Sequence, residues 1–96
     1  MIFFKVMISG TGLQLIEQDE STIDVGFVKN EYVLAKSAKK ASMVALSNVE
    51  KNISEQVRDK KIIIKNLELT VDETESSFSF WKLLLKEGII FFPEAR

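Results

Sequence analysis

Between residues 38 and 57 the apolar side chains recur every three or four positions, as Ala38, Ala41, Ala45, Val49, Ile53 and Val57. On either side of that stretch they alternate or run together instead. A spacing near 3.6 draws one stripe along a helix, and a spacing of two fills one face of a strand. A chain with one such helical stripe set among strand-like segments is confined to folds in which a single long helix lies on a sheet. The stripe begins with Ala, whose small side chain lets a helix approach a sheet closely. Ser37 is placed to cap the helix start, and Arg58, Lys60 and Lys61 follow where cations complement the carbonyl end of the helix dipole.

In the first segment Ile2, Phe4, Val6 and Ile8 are all apolar, whereas Phe3, Lys5, Met7 and Ser9 are mixed, so one face points to a core. Gly10-Thr11-Gly12 interrupts this strand, and residues 13–16 resume it beyond a bulge. Residues 17–22 form a polar acidic loop. The stretch 23–35 is rich in strand formers. It is either one strand kinked near Gly26 or a hairpin turning at Lys29-Asn30, and the lack of Gly at that turn favours one strand. After the helix, Ile62 and Ile64 are followed by Leu67, Leu69 and Val71. The change of phase predicts a bulge or bend at Lys65-Asn66. Residues 72–77 read as a second acidic loop. Ser76, Ser77 or Ser79 can cap a short helix through Trp81, Leu84 and Leu85 that Gly88 would end, and residues 89–92 make a last strand closed by Pro93. The expectation is one α+β domain over residues 1–96. It is a two-layer sandwich, broadly ferredoxin-like, with about four antiparallel or mixed strands, the long helix on one face and a short C-terminal helix.

The chain contains neither His nor Cys. Disulfides, thiolate nucleophiles, Ser-His-Asp triads and His- or Cys-based metal sites are thereby excluded within it. No cofactor or metal is expected. The net charge of −1 opposes a main role on nucleic acid. The distribution is uneven, since residues 29–65 hold nine Lys or Arg against four acids, with acidic stretches on both sides. On neighbouring elements such blocks neutralise one another. Residues 1–8 lack the features of a leader, and no apolar run reaches the ~20 residues of a membrane helix, so a soluble, cytoplasmic protein is expected.

Several residue patterns invite chemistry. Ser9-Gly10-Thr11-Gly12 has the first two glycines of a dinucleotide loop but no third, and no helical period follows. Ser37-Ala38-Lys39-Lys40 matches the Ser-x-x-Lys spacing, yet its companion motifs are missing and a cap already employs Ser37. Lys36, Lys39 and Lys40 around Ser37 surround a helix start whose free N–H groups favour an anion, which makes these four residues a candidate phosphate or carboxylate site. The carboxylates Glu17, Asp19, Glu20 and Asp24, and again Asp72, Glu73 and Glu75, show no calcium-loop spacing and read as solvated loop charge. Asn52-Ile53-Ser54 is a formal glycosylation sequon on the expected helix. The dense aromatic group Phe78, Phe80 and Trp81, with Phe91 and Phe92 of the last strand, exceeds what one short helix can bury and marks a candidate oligomer interface.

Two stretches, residues 26–41 (GFVKNEYVLAKSAKKA) and residues 88–94 (GIIFFPE), give the chain a resemblance to small uncharacterised bacterial α+β proteins. In the first a Gly-Phe strand leads into an Ala-rich helix, and in the second a short apolar strand ends in Pro-Glu. The resemblance implies no activity and assigns no functional residue. The expected function is that of a non-catalytic interaction or binding module, a homodimer with room for a further protein partner. The alternative is a small enzyme or enzyme subunit with its anion site at the helix start.

Overall fold

The computed structural model describes residues 1–76 and 88–94. Strands β1 (Ile2–Ile16) and β2 (Thr22–Ala35) are followed by helix α1 (Ala38–Arg58), strand β3 (Ile62–Ser76) and the short strand β4 (Ile90–Pro93). The strands form one sheet in the order β3-β1-β2-β4 with every neighbouring pair antiparallel. The fold is therefore α+β, with one helix among the described residues. The expected short C-terminal helix falls on residues outside them, and so do Phe78, Phe80 and Trp81.

The stretch 23–35 is one strand, paired with β1 from Ile2↔Ala35 to Ile16↔Thr22. No turn forms at Lys29-Asn30. The hairpin reverses instead at residues 17–21, where the Glu17 amide donates to the Ser21 carbonyl at 2.8 Å. The second acidic stretch is a correction to the sequence reading, because Asp72, Glu73, Thr74, Glu75 and Ser76 lie in β3, paired with β1 as far as Phe4↔Ser76. This end of β3 is polar on both faces, with Thr74 and Ser76 on the helix side and Glu73 and Glu75 on the outer side, so no apolar alternation separates it from a loop.

Helix α1 begins as its sequence specifies. Ser37 is extended (φ −151°, ψ 161°) and its Oγ accepts from the Lys40 amide at 3.2 Å, which satisfies one of the free N–H groups of the first turn. The buried stripe is Ala41, Ala45, Val49 and Ile53, each at most 1% exposed. It packs on Phe4, Val6, Ile8, Leu13, Val25, Phe27, Val33, Ala35 and Ile62 of the sheet. The Ser42 and Thr74 hydroxyls lie 2.9 Å apart, and Thr74 pairs with Val6, which identifies the even-numbered face of β1 as the one toward the helix. The connection from β2 through α1 to β3 passes over β1, so β2 and β3 run parallel to each other on its two sides.

Two irregularities adjust the register of β3. Met7 faces Glu73 while Ile8 faces Val71, which leaves Asp72 as an extra residue. Thr11 faces Glu68 while Leu13 faces Ile64, which places a wider bulge around Asn66. The second lies at the expected phase change. It exists because the β1 backbone crosses close beside it at Gly12, whose φ is +86° and whose hydrogen-only side leaves room for the Asn66 carbonyl.

Candidate functional site

The sheet face turned away from α1 is built by the register of the strands. Directly opposed residues in an antiparallel pair share a face, so Phe3, Lys5, Met7 and Ser9 stand beside Leu34, Tyr32, Asn30 and Val28. Strand β4 adds Ile90 opposite Val28 and Phe92 opposite Gly26. Leu34 is 46% exposed, Ile90 68% and Phe92 43%, while Phe3, Met7, Val28 and Tyr32 are half-buried. Among the described residues no helix or strand covers this face, and the result is an apolar band running diagonally from Leu34 to Phe92.

The β3 side of the same face is acidic. Glu68 pairs with Thr11, Glu73 with Met7 and Glu75 with Lys5, and Asp72 accepts a 3.0 Å hydrogen bond from Ser9 Oγ. Lys5 answers one of these charges, at 3.8 Å from Glu75. An exposed pair at that separation contributes little, so the row remains a net negative border to the apolar band. Sequence reading assigned three of these acids to a loop and missed the row. The signal that could have found it is the alternation Leu67, Leu69, Val71 against Glu68, Thr70, Asp72, which already runs in strand period.

At the β4 end a cleft of about 430 Å³ is lined by Val28, Asn30, Gly88, Ile89 and Ile90. The Oδ1 atom of Asn30 is shut off from solvent without a hydrogen-bond partner. On the helix side of β2, Lys29 and Glu31 form a 3.3 Å ion pair with side chains only 9% and 16% exposed. They face Ile8 and Val6 in the register. Neither group stood out in the sequence, because two charges two residues apart in a strand do not announce that their face is covered.

The residues singled out for anion binding are brought together, since Lys36, Ser37, Lys39 and Lys40 all sit at the α1 start and all are exposed. Ser37 Oγ is committed to the cap. The aromatic pair of β4 is split between the two faces. Phe91 is half-buried on the helix side, edge-to-face with Phe27 at 6.4 Å between ring centroids, and Phe92 lies over Gly26 on the outer side. Only Phe92 of the two belongs to the outer apolar band. Asn52, the sequon residue, is on α1, where its Oδ1 accepts from Gln56 Nε2 at 2.8 Å. Among the described residues no three His, Cys, Asp or Glu side chains converge as a metal site, and no helix is long and apolar enough to cross a membrane.

Sheet, helix and outer face define a small antiparallel α+β domain with one apolar, acid-bordered surface. No family model, no curated protein and no solved structure matches the chain.

Proposed function

We propose that this chain is a non-catalytic binding module, a cytoplasmic homodimer on a two-layer, broadly ferredoxin-like plan, that docks a protein partner on its outer sheet face. The observation that carries the reading is the band Leu34, Phe3, Tyr32, Met7, Val28, Ile90 and Phe92 bordered by Glu68, Asp72, Glu73 and Glu75. An apolar centre beside a one-signed border is the anatomy of a protein interface. The partner it fits has an apolar centre and a basic rim, because charge complementarity steers encounter and rejects acidic competitors.

The test joins hydrodynamics to mutagenesis. Sedimentation equilibrium at micromolar concentration should give the mass of two chains, and a one-chain mass across the range refutes the dimer. A protein retained from the native cell by wild type should be released by raised salt and lost from the Leu34→Lys, Phe92→Lys variant. Retention by that variant, with its thermal unfolding unchanged, refutes the docking face.

A further inference from the structure

The two edges of the sheet differ in kind. Strand β4 is four residues long and ends in Pro93, which blunts that edge. Strand β3 is fifteen residues long and contains no Pro, and among the described residues no strand pairs with its outer side. Ile63 and Ile64 on it are 37% and 45% exposed. Leu67, Leu69 and Val71 are half-buried along its helix-facing side, packed against the core but not enclosed by it.

We propose that two copies of the chain join edge to edge through β3, antiparallel about a twofold axis at Leu69. The inference rests on the homodimer reading above and names its contact. In an antiparallel pair across a twofold normal to the sheet, opposed residues must share a face, which restricts the register to steps of two. Centring on Leu69 sets Ile62 against the second copy's Ser76, so the whole strand is used. It also sets Lys65 against the second copy's Glu73, twice by symmetry, and Leu67 against its Val71, with Leu69 facing itself. Glu68 meets Thr70 and Asp72 meets Asn66. A shift by one step to centre on residue 68 opposes Glu68 to its own copy. The opposite shift, to centre on residue 70, opposes Glu68 to Asp72. Directly opposed like charges destabilise a strand pair, and opposite ones stabilise it. In the chosen register Glu68 approaches the second copy's Asp72 and Glu68 only along the longer diagonals, and neither like-charged pair is directly opposed as it is in each shift.

Bulges ordinarily protect an edge, because two residues on one strand then oppose one on the next. Here the bulges centre on Asn66 and Asp72, at equal distances on either side of Leu69. The same twofold therefore places each bulge opposite the other, so that neither faces a regular stretch of the second copy's strand. The axis is normal to the sheet, so both α1 helices fall on one side of a continuous eight-stranded sheet made from two four-stranded ones. Both outer faces fall on the other side, which doubles the docking surface.

The chain has no cysteine, so a single engineered one reports directly. Residues opposed in an antiparallel pair have Cα atoms about 4.5–5.5 Å apart, inside the range a disulfide spans. Leu69→Cys should cross-link to a covalent dimer under mild oxidation. Ser76→Cys, whose own copy lies at the far end of the pair, should not. Independently, Lys65→Glu and Glu73→Lys should each weaken the dimer, by roughly tenfold in its dissociation constant, and the double exchange should restore it. Both side chains are exposed, so neither change threatens folding. A sedimenting dimer in which Leu69→Cys stays uncoupled, or in which the double exchange fails to rescue, overturns the β3 contact while leaving the homodimer intact. A monomer in the wild type overturns both.

Discussion

The amide of Gly12 donates a 3.0 Å hydrogen bond to Oε1 of Glu94, a residue eighty-two positions later. The Glu94 amide in turn donates to the Asp24 carbonyl at 3.1 Å. The end of β4 thus reaches across β2 to the point where β1 bulges. Gly12 holds φ +86° there, with its missing Cβ toward the Asn66 carbonyl.

A side chain at Gly12 meets two penalties together, a left-handed backbone and a collision with backbone rather than with a movable side chain. Gly12→Ala is expected to destabilise the fold by about 3 kcal/mol, near the upper end of single substitutions. Gly88→Ala, where an added Cβ meets nothing within 4 Å, should be close to neutral. Urea unfolding of both variants checks the contrast, and equal midpoints would mean that the bulge relaxes freely around an added methyl.

The part of the fold that could be read beforehand is the part set by periodicity. The α1 stripe of Ala41, Ala45, Val49 and Ile53, its Ser37 cap and the unbroken β2 all follow from spacing and local chemistry. The bulge at Asn66 was visible because it shifts the phase of apolar residues, whereas the one at Asp72 was not, because polar residues surround it. The outer face is legible only in part, since Phe3 and Met7 on the mixed side of the first strand and Phe92 of the last stand out as apolar, whereas their neighbours do not. It is assembled across four strands by register, and neither the acidic row nor the apolar band beside it exists until β3 and β4 pair on the two sides of the β1-β2 hairpin.

The loop joining β1 to β2 makes a prediction about protonation. Ser21 donates to Asp19 Oδ1 from its hydroxyl at 2.6 Å and from its amide at 3.1 Å. The hydroxyl bond, then the amide bond, hold the Asp19 carboxyl below its ordinary value of 3.8, because both favour the ionised form. A carboxyl depressed in the folded state adds stability above its unfolded pKa and loses it as pH falls through the folded one. The window therefore lies at and below pH 3.8. Ser21→Ala should raise the Asp19 pKa toward its ordinary value in a carbon-detected NMR titration. An unmoved titration would show that the Ser21 hydroxyl does not hold the carboxylate.

At the far end of α1, Asp59 is the cap and Lys60 follows at φ +60°. The Lys60 amide donates to Val57 and the Lys61 amide to Gln56, at 3.0 and 2.9 Å. This is the left-handed turn in which Gly is favoured, since a Cβ is strained there. Lys60→Gly should stabilise by about 0.5 kcal/mol, the relief of strain being partly offset by a freer unfolded chain. Lys61→Gly, outside the left-handed position, should destabilise slightly or do nothing. A Lys60→Gly variant that melts below wild type would show that the ammonium's interaction with the helix end outweighs the strain.

The pair Lys29–Glu31 is the place where charge is most deeply enclosed among the described ion pairs, at 3.3 Å and with Lys29 8% exposed. Taking both ions out of water costs several kcal/mol each, and their attraction offsets this only while both are present. Glu31→Gln should therefore cost about 2–3 kcal/mol, because it withdraws a countercharge from an ammonium that stays enclosed. Lys29→Met should cost less, since the methionine fills the same channel without a charge and Glu31, the more exposed of the two, gains water more easily. The double variant Lys29→Met, Glu31→Gln should lose less than the two single losses added together, with a coupling of at least about 1 kcal/mol as expected for residues in contact. Chemical denaturation of the four proteins of the cycle measures that coupling. Additive losses would mean that each charge is compensated by groups other than its neighbour, and the pair would then be two separate burials on one face of β2.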